Sequence, residues 1–394
     1  MSRRYIGSLI DAFNALKVAN APTIGTASGS VLSASVAFMA PGCVGGGAIT
    51  GYTAVSSPGS ITGTGTASPV TVSGLTACTA YTFTVRACNA FGPSAFSAAS
   101  GSATPIADGT FAIFALGFAG SYASTTRDKY TYSGCVVSSG AASSCNSLAG
   151  SAAGNSTVGI FALGFGTTTR NKYTYSSCTN SLATASSIAS YYGSASGNST
   201  TGIFALGVTA CAGTTTRNKY TYSSCINSLA TASSFASYYG SAAGNSTTGI
   251  FALGYISGTG RSTTRDKYTY SGCVVASATA ASVASCAGAA VGNSTVGIFA
   301  LGFVCGGSTT TRNKYTYSGC TSASATASSV ASQKGSAAGN STIGIFAIGF
   351  GSCSRTTTRN KYTYSGDTNA SATAATTASC RGSAASNGTT GVNA

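Results

Sequence analysis

Apolar and polar positions recur along the chain in units of 43 to 48 residues from Thr110 onward. Each unit carries Gly-Ile-Phe-Ala-Leu-Gly or a near copy, whose phenylalanines are Phe114, Phe161, Phe204, Phe251, Phe299 and Phe346. Each apolar run is followed by Arg-(Asp/Asn)-Lys-Tyr-Thr-Tyr, in which the two tyrosines alternate with polar positions. Periods of this length with several short strands indicate propellers or related arrays. The pattern therefore predicts six copies of one β-rich unit over residues 106–394.

Four strands can be placed in a unit, as the third copy illustrates. Ser194–Ser196 is a strand of small residues that ends at a Gly-Asn-Ser-Thr turn, where Asn and Gly accept the positive φ of a tight hairpin. Gly202–Gly207 is an apolar strand with a glycine at each end. Asn218–Tyr222 alternates, which places both tyrosines on one face, and a weaker fourth strand begins at Cys225.

This strand order resembles the kelch motif, with its apolar second strand ending in glycine and its Tyr-bearing third strand. The kelch double glycine is reduced to one here and the kelch Trp is absent. The resemblance implies a six-bladed β-propeller. The first unit lacks its small-residue strand, and Gly382–Ala385 near the C-terminus is a spare copy of it. We expect this strand to close the ring and remove the open sheet edge; an open solenoid or a β-helix is the alternative.

Residues 21–105 differ from the repeats. Short β-prone runs separated by Gly and Pro turns fit about seven strands, which favours a β-sandwich. The order Gly-Leu-Thr, Tyr-Thr-Phe-Thr-Val and Asn-Ala-Phe-Gly resembles a fibronectin type III domain, a family of spacer and adhesion modules. The resemblance implies that Leu75 and Tyr81 form the tyrosine corner, and that Phe38 fills the volume of a missing Trp. The fold class expected for the chain is therefore all-β.

Residues 1–20 precede the sandwich and are interpreted as an N-terminal arm, either a short amphipathic segment or a flexible one, and a candidate attachment point. This segment lacks the continuous apolar region of a signal peptide. No stretch reaches the roughly 18 apolar residues of a membrane span. We therefore expect synthesis in a host cytoplasm and no membrane insertion.

Composition argues against enzyme chemistry. The chain has no His and five Asp as its only acids, so the commonest general base and the commonest transition-metal ligand are missing. The matched acids Asp128 and Asp266 occupy one position in non-adjacent repeats, which should hold them apart. We expect no catalytic residues, no metal and no cofactor.

The net charge of +15 is concentrated in the Arg-x-Lys of each repeat. One interpretation is a ring of cations for a polyanion such as lipopolysaccharide, capsule or nucleic acid. The favoured interpretation is structural, with Arg and Lys lying along neighbouring repeats. The residues assigned this structural role, from the second copy, are Phe161, Arg170, Lys172, Tyr173 and Tyr175.

The loops between the second and third strands differ from copy to copy, and variable loops on a rigid scaffold are common recognition sites. Either they form a ligand-facing surface or they vary without function. The candidate ligand-facing residues are Tyr122, Thr209, Tyr255, Arg261 and Arg355.

The repeats contain eleven of the fourteen cysteines. Two interpretations stay open, buried free thiols or within-unit disulfides. The possible pairs are 135–145, 211–225, 273–286, 305–320 and 353–380, which leaves Cys178 alone. Asn155-Ser156-Thr157 and its copies match the N-glycosylation acceptor, but a tight turn explains them better.

A sandwich followed by a charge-poor propeller resembles virion proteins of tailed phages of aquatic bacteria. The resemblance implies a tail fibre or adhesin-type appendage located in the virion, bound to other virion proteins through the N-terminal arm. Its propeller would contact a host surface polysaccharide or protein, and a homo-oligomer is expected. The alternative is a capsid or tail decoration protein without a receptor.

Overall fold

The chain forms only β-strands, turns and irregular segments in the residues that the structure, a computed structural model, describes. These residues are 17–30, 32–76, 79–105, 110–119, 122–132, 135–210, 212–351, 354–387 and 392–393. They divide into two compact units, Met1–Asp108 and Gly109–Ala394. The all-β class expected from the sequence is confirmed.

The first unit contains two antiparallel sheets. One sheet has the order Thr23–Ser30, Ser33–Met39 and Val70–Ser73. The other has the order Thr62–Gly65, Gly51–Ser57, Thr82–Asn89 and Gly92–Pro93. Alternate residues of Ser33–Met39, Gly51–Ser57 and Thr82–Asn89 are buried, so each strand turns one face to a shared core.

Two local contacts involve residues of this core. Leu75 is buried, and the backbone N–H of Thr76 donates to the Tyr81 hydroxyl at 3.1 Å. The rings of Phe38 and Tyr52 pack with centroids 4.5 Å apart in the core.

Residues 1–16 of the predicted arm, 1–20, lie outside the described residues. Residues 17–20 belong to the first unit. The N–H groups of Lys17 and Asn20 donate to the carbonyls of Gly45 and Cys43, and Ala19 is buried in the core. Backbone hydrogen bonds therefore hold residues 17–20 against the first unit.

Among its described residues, the second unit contains six larger antiparallel sheets, repeat sheets 1 to 6, one for each sequence copy. Four equivalent strands form each sheet, and sheet 3 has a fifth. The first strands, from sheet 1 to sheet 6, are Ser383–Ser386, Ser151–Gly154, Ser194–Gly197, Ser241–Gly244, Ala289–Gly292 and Ser336–Gly339. The second strands are Phe111–Ala115, Val158–Ala162, Thr201–Ala205, Thr248–Ala252, Val296–Ala300 and Ile343–Ala347. The third strands are Arg127–Thr131, Arg170–Thr174, Arg217–Thr221, Arg265–Thr269, Arg312–Thr316 and Arg359–Thr363. The fourth strands are Val136–Gly140, Thr179–Ala183, Ile226–Ala230, Val274–Ala278, Thr321–Ala325 and Thr368–Ala372.

Short two-residue strands form small separate sheets in the loops at one end of the repeat sheets, and one further short strand joins sheet 3. They are Phe118–Ala119, Tyr122–Ala123, Val208–Thr209, Ala212–Gly213, Ser237–Tyr238, Tyr255–Ile256, Gly260–Arg261, Phe303–Val304, Gly307–Ser308, Ser332–Gln333, Phe350–Gly351, Ser354–Arg355, Ser379–Cys380 and Val392–Asn393. The last of these pairs with Ser196 and Gly197 of sheet 3.

Sheet 1 is assembled from both ends of the unit. Ser383–Ser386 pairs antiparallel with Phe111–Ala115 and so occupies the position that the first strand takes in every other sheet. The residues of this strand are small and fully buried, as they are in the other five sheets.

Adjacent sheets pack face to face through the apolar second strand and the tyrosines of the third. In sheet 3, Phe204, Tyr220 and Tyr222 pack on Ala153 and Ile160 of sheet 2. The equivalent residues of sheet 1, Phe114, Tyr130 and Tyr132, pack on Ala338 and Ile345 of sheet 6. The last sheet therefore contacts the first in the way that the second contacts the third.

In the described part of the chain, we find no helix of the length and apolarity needed to cross a membrane.

Candidate functional site

The arginine that begins each third strand is fully buried, with at most 1% of its surface exposed. Its guanidinium lies over the phenylalanine of the following sheet, with 4.4 to 4.6 Å between Cζ and the ring centroid, from Arg127 on Phe161 to Arg359 on Phe114. Nη2 also donates to the Asn or Asp side chain of the next third strand, as in Arg170 to Asn218 at 3.1 Å. A guanidinium enclosed in this way is not accessible to an external polyanion.

Each of these buried arginines donates hydrogen bonds to one of two sets of acceptors. Where the next third strand carries Asp, as at Asp128 and Asp266, the fourth strand has Val137 or Val275 nearby. The other four arginines find a neutral Asn on the third strand, and a second acceptor on the fourth strand replaces the valine. These second acceptors are Asn180, Asn227, Ser322 and Asn369. Burial lowers the pKa of the four arginines in the neutral sites to about 10, so they stay cationic at neutral pH.

The lysine of the motif reaches the turn between the third and fourth strands of the next sheet. Lys172 Nζ lies 3.8 Å from Cys225 Sγ, and Lys267 Nζ lies 3.5 Å from Cys320 Sγ. In sheet 6 the cysteine is replaced by Asp367, which forms an ion pair with Lys314 at 3.1 Å. Tyr173 and Tyr175, the remaining residues assigned a structural role, are buried, and their ring centroids lie 5.7 Å apart.

At the opposite end of the sheets from these turns, six backbone hydrogen bonds link one residue from each repeat. The residue immediately precedes the glycine before the first strand, and its N–H donates to the carbonyl of the equivalent residue in the preceding sheet at 2.7 to 2.9 Å. We call these residues the mouth ring; in sheet order they are Arg381, Ala149, Tyr192, Tyr239, Ala287 and Lys334. Ala149 donates to Arg381, and Arg381 donates to Lys334, so the series of bonds returns to its start.

Every residue of the mouth ring has a positive φ, between +54° and +61°. L-residues other than Gly, Asn and Asp adopt this conformation at a cost of about 1–2 kcal/mol each. The same backbone strain at six equivalent positions shows that the surrounding hydrogen bonds impose it.

Two of the mouth ring residues lie in a continuous group of tyrosines. The ring centroids of Tyr192 and Tyr239 are 4.1 Å apart. Tyr191 packs on Tyr192, Tyr238 on Tyr239, and Tyr255 on Tyr238, at 4.9 to 5.3 Å. All five are partly exposed. Burial and the neighbouring Tyr192 raise the pKa of Tyr239, so it stays neutral.

All four cations of residues 110–394 outside the Arg-x-Lys motif lie at this end of the sheets, and each lies over an aromatic ring. The pairs are Arg381 on Tyr192, Lys334 on Phe350, Arg261 on Phe303 and Arg355 on Phe118, at 4.8 to 5.9 Å. Burial and the nearby Arg381 lower the pKa of Lys334. Asp128 and Asp266 are buried in ion pairs and Asp367 lies at the opposite turns, so no carboxylate of the described second unit balances these four charges.

A depression opens beside the mouth ring where sheet 2 has the shortest of the loops between second and third strands. Its volume is about 290 Å³, and its lining is Leu148, Ala149, Phe165, Gly166, Tyr191 and Tyr192. Phe165 is 62% exposed, which is unusual for an aromatic side chain of this size. The depression and the mouth ring share Ala149 and Tyr192.

The five residues chosen as ligand-facing from the sequence all lie in the loops at this end, but they do not form one cluster. Tyr255 joins the tyrosine group, and Arg261 and Arg355 lie on the rings of neighbouring sheets. Tyr122 is 79% exposed on sheet 1, and Thr209 belongs to the Val208–Thr209 hairpin of sheet 3.

The sequence contains a signal for the mouth ring that loop comparison missed. The pair before each first strand is Cys-Arg, Leu-Ala, Tyr-Tyr, Tyr-Tyr, Cys-Ala or Gln-Lys, whereas the flanking Ser and Gly are the same in all six copies. This variation between constant neighbours marks a position whose side chain the repeat does not fix.

The within-unit disulfides considered from the sequence are not formed. The free cysteines of the repeats are Cys135, Cys145, Cys225, Cys273, Cys286, Cys305, Cys320 and Cys380, so each proposed pair has at least one free member. In the pairs 135–145, 273–286 and 305–320, the two cysteines lie at opposite ends of the sheet. Cys178, which the sequence left alone, takes part in a disulfide. Among the described residues, no three Cys or Asp side chains converge as a metal site would require.

No protein-family model matches the chain, and no curated protein matches it. Among solved structures, the titin kinase with its flanking domains is 28% identical over 22% of this chain, with a TM-score of 0.20. A crystal structure of consecutive titin domains is 26% identical over 22% of this chain, also with a TM-score of 0.20. The chain covers only 17% and 32% of these two structures. A structure of YjhT is 8% identical, with a TM-score of 0.49, over 61% of this chain and 88% of that one.

Proposed function

We propose that this chain is a binding protein without enzymatic activity, a tail-fibre or adhesin-type component of a phage virion. In this proposal a fibronectin type III-like sandwich is followed by a divergent kelch-like propeller of six blades, closed by the C-terminal strand. The propeller contacts a host surface polysaccharide or protein, and the N-terminal segment binds other virion proteins.

The observation that carries the binding role is the mouth ring. Six hydrogen bonds link one residue of every repeat, and each of these residues has the same strained backbone. Hydrogen bonds thus hold the backbone at a point where the side chains vary between copies, and such support of variable side chains is the usual arrangement of recognition sites.

Closure of the ring is supported by contacts that run from the last repeat to the first. Ser383–Ser386 pairs with Phe111–Ala115, Arg359 forms an ion pair with Asp128, and Arg381 donates to Lys334 while accepting from Ala149. An open solenoid would leave the equivalents of these groups at two separate ends.

The proposal is tested on the phage whose genome encodes the chain. Mass spectrometry of purified particles should detect the chain, and the labelled full-length protein should bind host cells and be displaced by excess unlabelled protein. Absence of the chain from the particles would overturn the virion assignment. Presence in the particles without any cell binding would favour the alternative, a capsid or tail decoration protein.

A further inference from the structure

The geometry points to a carboxylated sugar residue as the ligand of the mouth ring and the adjoining depression. This inference rests on the proposed binding function and specifies the chemistry of its ligand. Arg381 and Lys334 hold the carboxylate, and the rings of Tyr192 and Phe165 contact the apolar face of the sugar.

The charge of the ligand follows from the cations. Arg381 and Lys334 are neighbours in the mouth ring, joined by a backbone hydrogen bond. Arg261 and Arg355 lie over Phe303 and Phe118 in loops at the same end of the sheets. The described acids of the second unit are all engaged elsewhere. An anionic group therefore complements this face, and the planar guanidinium of Arg381 matches a carboxylate with two parallel hydrogen bonds.

The shape of the site favours a small ring with an apolar face. Ala149 lies between Arg381 and Tyr192 in the mouth ring, and it lines both the space beside the mouth ring and the depression of about 290 Å³. This volume lies at the lower end of the roughly 300–1,000 Å³ typical of small-molecule sites. A sugar ring offers C–H groups to Phe165 and Tyr192, and hydroxyl groups to the polar rim of tyrosines.

A nucleic acid fits this face less well. Specific and non-specific nucleic-acid binding both depend on many phosphate contacts along a charged track. Here the six Arg of the repeat motif are buried and its lysines reach the turns at the opposite end, so only four cations remain at this end of the described sheets. The remaining charge suits one or two anionic groups.

The experiment measures binding of trigalacturonate to the full-length protein by calorimetry, with maltotriose as the neutral control. Dextran sulfate and oligo(dT) serve as polyanions without a carboxylated sugar. The variants are Arg381→Ala combined with Lys334→Ala, and separately Tyr192→Ala. Alanine is the natural residue at two mouth ring positions, so these variants keep a side chain that this backbone accepts. Arg86→Gln in the first unit, a cation that also lies over a ring, is the matched control.

We expect trigalacturonate to bind at least tenfold more tightly than maltotriose, and both mouth variants to lose at least tenfold in affinity while Arg86→Gln does not. Unchanged affinity in the variants would overturn the site. Equal binding of dextran sulfate or oligo(dT), with the same losses, would overturn the sugar assignment in favour of a general polyanion.

Different outcomes contradict the ligand assignment and the proposed function. Host-cell binding without trigalacturonate binding would overturn the carboxylated sugar and leave the adhesin proposal standing. Trigalacturonate binding that the mouth variants abolish, without any host-cell binding, would support the site and overturn the adhesin role.

Discussion

Arg359 of the last repeat donates from Nη2 to Oδ2 of Asp128 in the first repeat at 2.8 Å, and both side chains are fully buried. The two residues are 231 positions apart in the chain. The same acid also accepts hydrogen bonds from the backbone and hydroxyl of Thr376. This buried pair joins the last repeat to the first.

In each repeat, an Asp on the third strand occurs with a Val on the fourth, and an Asn occurs with a second acceptor. This relationship predicts that substitutions at Asp128 and Val137 have coupled effects on stability. Asp128→Asn alone should lower the free energy of unfolding by about 1–3 kcal/mol, because Arg359 keeps a neutral Asn but has no second acceptor. Adding Val137→Asn should recover at least about 1 kcal/mol, because it recreates the neutral site of the other repeats. Urea unfolding of the wild type, both single variants and the double variant measures the coupling. Strict additivity would contradict the explanation.

The lowered pKa of Asp367 predicts that the stability of the protein depends on pH. Burial alone would raise its pKa, but hydrogen bonds from Tyr362, the Thr326 N–H and Lys314 outweigh it and lower the pKa from 3.8 to about 2. A depressed folded-state pKa contributes stability that is complete above the unfolded value and is lost as the pH falls toward about 2. Asp367→Asn should therefore destabilise the protein at pH 6 and have a smaller effect near pH 2. Because the carboxyl is 31% exposed, the difference in urea midpoint should be small; a difference independent of pH would contradict the assignment.

The ion pair of Asp367 with Lys314 predicts that aspartate can replace the cysteine at the equivalent turn of another repeat. Cys225 has φ +54°, a conformation that Asp tolerates better than Cys, and it faces Lys172 as Asp367 faces Lys314. Cys225→Asp should raise the free energy of unfolding by up to about 1 kcal/mol, with most of the gain lost at 1 M salt. Cys225→Ala is the control without an anion, and an equal gain in that variant would rule out the ion pair.

Relief of strain in the mouth ring predicts a stabilising glycine. Ala287 has φ +54°, and glycine adopts this conformation without the steric cost. Ala287→Gly should raise the free energy of unfolding by about 0.5–1 kcal/mol, since the greater freedom of glycine in the unfolded chain offsets part of the relief. The midpoint of thermal unfolding measures this change in stability. Ala243→Gly, in an extended first strand, should lower the midpoint, and a lower midpoint in both variants would contradict the strain at Ala287.

Regular features of the repeat could be predicted from the sequence because they depend on short-range pattern. Alternation and flanking glycines predict the strands around Phe204 and Tyr220, and the Asn-Ser-Thr sequence predicts the turn at Asn198. There the side-chain oxygen accepts hydrogen bonds from the N–H groups of Thr200 and Thr201. The recurrence of the same motifs in six copies also predicts one sheet per copy. The cysteine pairs could not be judged in this way, because separation along the chain does not reveal that a fourth strand carries Cys273 and Cys286 to opposite ends of a sheet.

By itself, the sequence determined the all-β class and the sixfold repetition of one β-rich unit. Only the tertiary structure decided which variable residues meet. Tyr192, Tyr239, Lys334 and Arg381 lie in four different copies, and hydrogen bonds between repeats bring them into one ring. The physical reason is that a strand pattern depends on neighbours two residues apart, whereas a site between repeats depends on how whole sheets pack around their innermost strands.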